Sequence, residues 1–151
     1  MLDINLVAIG PVKNASYQAL IAEYLKRLRP YARVKVNELT ATPFSVNTHN
    51  QAKASEGQRI EDFLKKARGP VYLLAERGRT FDSPEFAVFL EKNQPLTLVI
   101  AGALGFSPEL YKNYPQLSLS PLTFPHELAR VVLLEQIYRA ATILNKKDYH
   151  Y

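Results

Sequence analysis

The chain contains no cysteine and no tryptophan, one methionine and only three histidines, His49, His126 and His150, in 151 residues. Without cysteine there is no disulfide framework, no thiolate metal site and no sulfur nucleophile. A three-histidine metal site would need every histidine, and they are widely separated in sequence, so no metal is expected. No apolar run approaches the roughly 18 residues of a membrane span, so no membrane partner is expected either. The stretch MLDINLVAIG lacks the basic segment and cleavage site of a secretory signal, which makes the cytoplasm the expected compartment. Acidic residues are the scarcer charge, 14 Asp and Glu against 19 Lys and Arg.

What is present is ordinary for a globular protein: 47% hydrophobic and 22% charged residues. The length suits one domain, large enough to bury roughly 70% of its unfolded surface. The net charge of +5 and a pI of about 9.4 favour polyanionic partners, nucleic acid before anionic membrane.

Short apolar runs alternate with longer amphipathic ones. Ile4–Ile9 reads as a strand stopped by Gly10-Pro11. Ser16 is the expected cap of a helix with the apolar face Tyr17, Leu20, Ile21, Tyr24, Leu25 and Leu28, ended by Pro30. Residues 33–39 alternate as a second strand, and residues 40–50 read as a polar loop. A helix is expected over 51–67, with Ile60, Phe63, Leu64 and Ala67 inward. Val71–Ala75 is an apolar strand. Ser83-Pro84-Glu85 starts a helix that buries Phe86, Phe89 and Leu90. Leu96–Ala101 is the most apolar run and the expected central strand. Ser107-Pro108-Glu109 repeats the helix-start device, residues 116–120 form a fifth strand, and a long helix runs over 125–144. Strands alternating with helices imply an α/β fold, a mostly parallel sheet covered on both faces.

Ligands of such sheets sit beyond the carboxyl ends of the strands. Three loops leave those ends: Glu76–Asp82 (ERGRTFD), Gly102–Ser107 (GALGFS) and Ser120–His126 (SPLTFPH). Gly102-Ala103-Leu104-Gly105 lets a backbone approach a ligand, but it is neither a dinucleotide fingerprint nor a phosphate loop. It reads equally well as a tight turn. His126 opens the last helix, and Arg130 lies one turn later on the same face. Glu135 and Arg139 have the spacing of a helical ion pair. The run Tyr24–Arg33 interleaves cations with tyrosines, the residue types of phosphate contact and base stacking. A solvated helix end accounts for its cations as well.

Several pieces together resemble the RlmH-type methyltransferases of the SPOUT superfamily, which modify pseudouridine in large-subunit ribosomal RNA. They are Leu6–Gly10, Glu23–Leu28, Ser55–Ile60, Val99–Gly105, Leu117–Ser120 with Thr123-Phe124-Pro125-His126, then Arg130–Leu133, Glu135–Ala140 and Tyr149-His150. The resemblance implies a C-terminal trefoil knot, a homodimer, S-adenosylmethionine as cofactor, and N3-methylation of a pseudouridine in 23S rRNA of the assembled 70S ribosome. It assigns cofactor contacts to Leu74, to Gly102, and to Ser120, Pro121, Leu122, Thr123, Phe124 and Pro125. These lie in or beside the three strand-end loops. It places His126, Arg130, Arg139, Tyr149 and His150 on the RNA side, near the dimer interface. There His126 or His150 would take up or orient the N3 proton, and Arg130 or Arg139 would hold a phosphate or uracil carbonyl. The family usually has two glycines where this chain has Ala101-Gly102, and an acid or amide near Leu104. On those two positions rests the alternative, a non-catalytic knotted RNA- or ribosome-binding dimer without cofactor affinity.

Overall fold

The computed structural model describes residues 1–151. β1 (Leu2–Ile9) is apolar on both faces. Ile4, Leu6 and Ala8 enter one core cluster, and Val7 and Ile9 enter another. β4 (Leu96–Ile100) divides in the same way, with Leu96, Leu98 and Ile100 opposite Val99. Strands buried on both sides belong at the centre of a parallel sheet. With β2 (Ala32–Leu39), β3 (Val71–Arg79) and β5 (Gln116–Leu117), the order is β2-β1-β4-β3-β5, and each pairing is parallel. α1 (Ala15–Leu28), α3 (Ser83–Lys92) and α5 (His126–Leu144) cover one face through Leu28, Phe86, Leu90, Leu133, Leu134 and Ile137. α2 (His49–Leu64) and α4 (Pro108–Asn113) cover the other through Ile60, Leu64 and Leu110. The expected α/β architecture is therefore present.

The local differences have local causes. α1 is capped by Asn14, whose side chain accepts the Tyr17 N–H at 3.1 Å, so Ser16 lies inside the helix. α3 is capped by Asp82 in a reciprocal box with Glu85, one residue ahead of Ser83. The segment expected to be wholly loop contains a short 3₁₀ turn, Val46–Thr48, and α2 already begins at His49. Only Leu28 of the α1 stripe is fully buried; Leu20 is 43% exposed.

The largest difference is at β3, which runs four residues past Ala75 into the polar sequence ERGR. Pairing with β5 holds that extension. Leu74 and Arg79 both register with Leu117, an irregularity in the ladder. The Ser118 N–H donates to the Arg79 carbonyl at 2.8 Å, and the Ser118 hydroxyl donates to the Glu76 carbonyl at 3.0 Å. Gly78 lies where the two strands meet. A Cβ there would stand 2.6 Å from the Leu117 carbonyl carbon and 2.7 Å from Gln116 and Leu117 backbone atoms. β5 itself is shorter than expected, two residues.

Candidate active site

The middle of β3 and the segments that follow β4 and β5 open into one cavity of about 540 Å³. That volume lies in the range of small-molecule sites, about 300–1,000 Å³. Each of the three strand-end segments contributes. Leu74 and Glu76 come from β3, Gly102 and Gly105 from the turn after β4, and Ser120, Leu122, Thr123, Phe124 and Pro125 from the approach to α5. Of the residues assigned to cofactor contact, Pro121 alone is outside the lining; it is exposed at the outer bend of its loop. Leu122 presents its side chain largely to solvent at the cavity rim, 73% exposed.

The turn after β4 is built for a bare backbone. The Gly105 N–H closes it on the Gly102 carbonyl at 3.1 Å, and Gly105 has φ +77°, a conformation that suits glycine. Gly102 is constrained from behind. A Cβ on it would meet Ile9 Cγ2 at 3.0 Å and Glu56 Oε1 at 3.2 Å. Glu56 is a buried carboxylate, 5% exposed, whose other oxygen accepts the Thr42 N–H at 2.9 Å. Gly57 packs against Ser107 at the far end of the same turn, where a Cβ would stand 2.7 Å from the Ser107 hydroxyl. Thus α2 supports the glycine turn at both ends. Ala101 has no left-handed φ; Lys146 is the one non-glycine residue with that conformation. The methyl group in place of the family's usual glycine therefore sits on ordinary backbone, packed against the α2–α4 core.

The lining is mostly apolar and aromatic, including Phe106, Tyr111 and Phe124, and it has no lysine or arginine. Glu76 is its one carboxylate, and His126 its one imidazole. A ligand rich in phosphate would find no cation here. A nucleoside-sized ligand carrying positive charge finds apolar walls, bare backbone and one carboxylate.

α5 begins at this cavity, with His126 and Ala129 both in the lining. Glu127 turns away and accepts the N–H groups of Lys13 and Asn14 at 2.8 and 3.1 Å. The bond from Asn14, with that from Lys13, holds the Glu127 carboxyl below its usual range. Arg130 also turns away from the cavity. It is 3% exposed, with Nη1 2.7 Å from Glu38 Oε2, and Nη2 donates to the Gly10 carbonyl at 2.9 Å. Arg130, expected on the RNA side, is thus enclosed between α5 and the ends of β1 and β2.

The other three residues form a separate cluster at the far end of α5. Arg139 pairs with Glu135 at 2.8 Å and stacks over the Tyr149 ring with 4.9 Å to its centroid. The Tyr149 hydroxyl donates to Glu135 at 3.0 Å. Burial, and next that bond, push the phenol well above its ordinary range. Arg139 lies 3.2 Å from His150 Nδ1. Arginine offers no acceptor, so Nδ1 accepts, and the neutral ring carries its proton on Nε2. His126 and Arg139 are thirteen residues apart on one helix, about 20 Å along its axis at 1.5 Å per residue. One chain brings His126 to the cavity and leaves Arg139, Tyr149 and His150 at a distance from it.

The cavity also uses Ala75, Glu76, Ile100, Ala103, Phe106 and Tyr111, which were not singled out as contacts. Glu76, Ala103 and Phe106 lie inside the loops chosen from the sequence. Tyr111, on α4, and the support from Glu56 depend on tertiary packing and have no local signal.

A family model described as "Predicted SPOUT methyltransferase" matches residues 2–150. The "Ribosomal RNA large subunit methyltransferase H" of Kosmotoga olearia is 38% identical over 156 residues, covering 99% of this chain and 100% of that protein. Those of Limosilactobacillus fermentum and Parabacteroides distasonis, with the same name, are 39% and 35% identical, each over 99% of both chains. Among solved structures, a probable rRNA-methyltransferase from Porphyromonas gingivalis superposes with a TM-score of 0.56 at 14% identity, over 95% of this chain and 70% of that one; this is a likeness of fold. With its strand-end cavity and end-to-end matches of this kind, the chain belongs to the SPOUT methyltransferase family.

Proposed function

We propose that the protein is an S-adenosylmethionine-dependent methyltransferase that acts on N3 of a pseudouridine in 23S rRNA of the assembled ribosome. One observation carries the reading. The three loops assigned to cofactor contact from the sequence converge on one cavity with no fixed cation, in a chain matched end to end by proteins named rRNA large subunit methyltransferase H. Leu74, Gly102, Ser120, Leu122, Thr123, Phe124 and Pro125 would hold the cofactor, with Glu76 balancing its positive charge. When bound, the cofactor supplies an electrophilic methyl group on a sulfonium. The trefoil knot belongs to this reading, as what the family resemblance implies.

The chain's own residues then have three tasks. His126, at the cavity, is placed to take up the proton of a uracil-type N3, whose lone pair must be free for attack. His150, with Nδ1 occupied by Arg139, presents Nε2–H as a donor toward a base carbonyl. Arg139, itself stacked on Tyr149, would fix that imidazole and offer charge to the RNA backbone. Precise placement of reacting groups supplies the main part of such catalysis, on the order of 7–11 kcal/mol when orientation is good.

The two clusters on α5 support a homodimer. A second copy could set its Arg139–Tyr149–His150 group beside this chain's cavity, which about 20 Å of helix keeps from its own. The half-exposed stripe of α1, with Leu20, Ile21, Tyr24 and Leu25, offers apolar area for such an interface. Ribosomal RNA as substrate places the enzyme in the cytoplasm; no helix is long and apolar enough to cross a membrane.

Transfer of tritiated methyl from S-adenosylmethionine to purified 70S ribosomes and to protein-free 23S rRNA tests the reading. Label is expected in the 70S sample, mapping to N3 of a pseudouridine. No label in either sample, together with no calorimetric binding of the cofactor, would refute it.

A further inference from the structure

Arg130 is the one arginine among the buried residues. Enclosing a guanidinium costs more than enclosing an apolar side chain of the same volume, and its Nε has no partner. Stabilisation alone is a poor account of such a residue. What it joins is specific. Nη2 donates to the carbonyl of Gly10, the residue that follows β1. Immediately before it stands Ile9, whose side chain backs Gly102 from behind. Nη1 pairs with Glu38 near the end of β2, and the Gly10 N–H donates to the Leu39 carbonyl at 2.7 Å, tying the same two strand ends together. On its other side Arg130 stands on the opening turns of α5, beside His126 and Ala129 of the cavity wall. Glu127 of that turn holds Lys13 and Asn14, so residues 10–14 are held by α5 at both ends.

We propose that Arg130 is a positioning residue that sets the separation between two walls of the cavity, the Ile9-backed glycine turn and the first turn of α5, and that it makes no contact with RNA. The inference rests on the reading of the cavity as the S-adenosylmethionine site. Two bonds leave the guanidinium in different directions, and a lysine ammonium cannot reproduce that fork.

The experiment compares wild type, Arg130→Lys and Glu38→Gln by titration calorimetry with S-adenosylmethionine, at a temperature where circular dichroism shows each folded. Methylation kinetics on 70S ribosomes at saturating cofactor accompany it. Arg130→Lys is expected to weaken cofactor binding about tenfold, since small displacements of a positioned group are costly. Glu38→Gln, which keeps the Gly10 bond, should lose less. The KM for ribosomes should stay within about twofold of wild type. Unchanged cofactor affinity with a raised ribosome KM would overturn the proposal in favour of RNA contact. A lowered unfolding midpoint with both constants unchanged would overturn it in favour of a merely structural role. If Arg130→Lys does not fold, Glu38→Gln decides alone, because its partly exposed carboxylate can be neutralised without emptying the core. A wild type that binds no cofactor defeats the underlying reading and this proposal with it; a wild type that binds, with both variants equal to it, defeats this proposal only.

Discussion

Gly78→Ala should be among the most damaging single-methyl additions in this protein, although local backbone preference points the other way. Gly78 has no left-handed φ. At such a position, alanine ordinarily stabilises by about 0.4–1 kcal/mol, because it narrows the unfolded ensemble. Here the added carbon would lie 2.6–2.7 Å from three backbone atoms of Gln116 and Leu117, where carbon contacts relax at about 3.5–4.0 Å. The neighbours are main chain, so no rotamer change relieves them. β3 and β5 must part by most of an ångström, at about 1–3 kcal/mol for overpacking. The bonds from Ser118 to Arg79 and Glu76 span this junction and are weakened with it, at about 1 kcal/mol each. Less the usual gain from alanine, the sum is about 2–5 kcal/mol, on the order of 10 °C in unfolding midpoint for a chain of this length. Gly105→Ala is the control. Its φ is +77°, but the nearest obstacle is the Tyr111 hydroxyl at 3.7 Å, so only the backbone cost of about 1–2 kcal/mol applies. Thermal melts and urea midpoints should rank wild type above Gly105→Ala, and Gly105→Ala above Gly78→Ala. A Gly78→Ala variant as stable as wild type would refute the close crossing.

Arg139→Ala and His150→Ala should keep wild-type cofactor affinity in calorimetry and lose methyl transfer to 70S ribosomes by about a hundredfold; transfer at the wild-type rate would remove the cluster from the site. Glu127→Gln should flatten the acid side of the stability profile. A carboxyl held low in the folded state stabilises above its unfolded pKa, and that stability is lost as pH falls through the folded value; unfolding midpoints measured across the acid range test this. Raising salt from 50 to 200 mM should raise the ribosome KM steeply and leave cofactor affinity nearly constant, because the cavity lining has no lysine or arginine. Equal salt sensitivity of the two would contradict that division of charge.

The sheet and its helices were legible because burial on two faces writes continuous apolar runs such as 96–100, and helix faces repeat at their own spacing. The three loops followed from the direction of a parallel sheet. The rest depended on distant partners. Polar residues 76–79 became strand because β5, some forty residues later, supplied their pairing. Asn14 and Asp82 displaced serine caps that were equally suitable in sequence. Arg130 reads as a surface cation on a helix until Glu38, 92 residues earlier, is placed against it. By contrast, the separation of His126 and Arg139 could be read directly, since thirteen residues of the helix expected over 125–144 amount to about 20 Å.

The cavity draws one wall from β1, where Ile9 backs the glycine turn, and another from the opening of α5, where His126 and Ala129 stand. Those two elements lie far apart along the chain, and neither encloses the space alone. An opening that undocks α5 would dismantle the cavity while the central strands keep their pairing. A molecule held between the two walls would then act as a brace, making the seating of α5 firmer as its concentration rises.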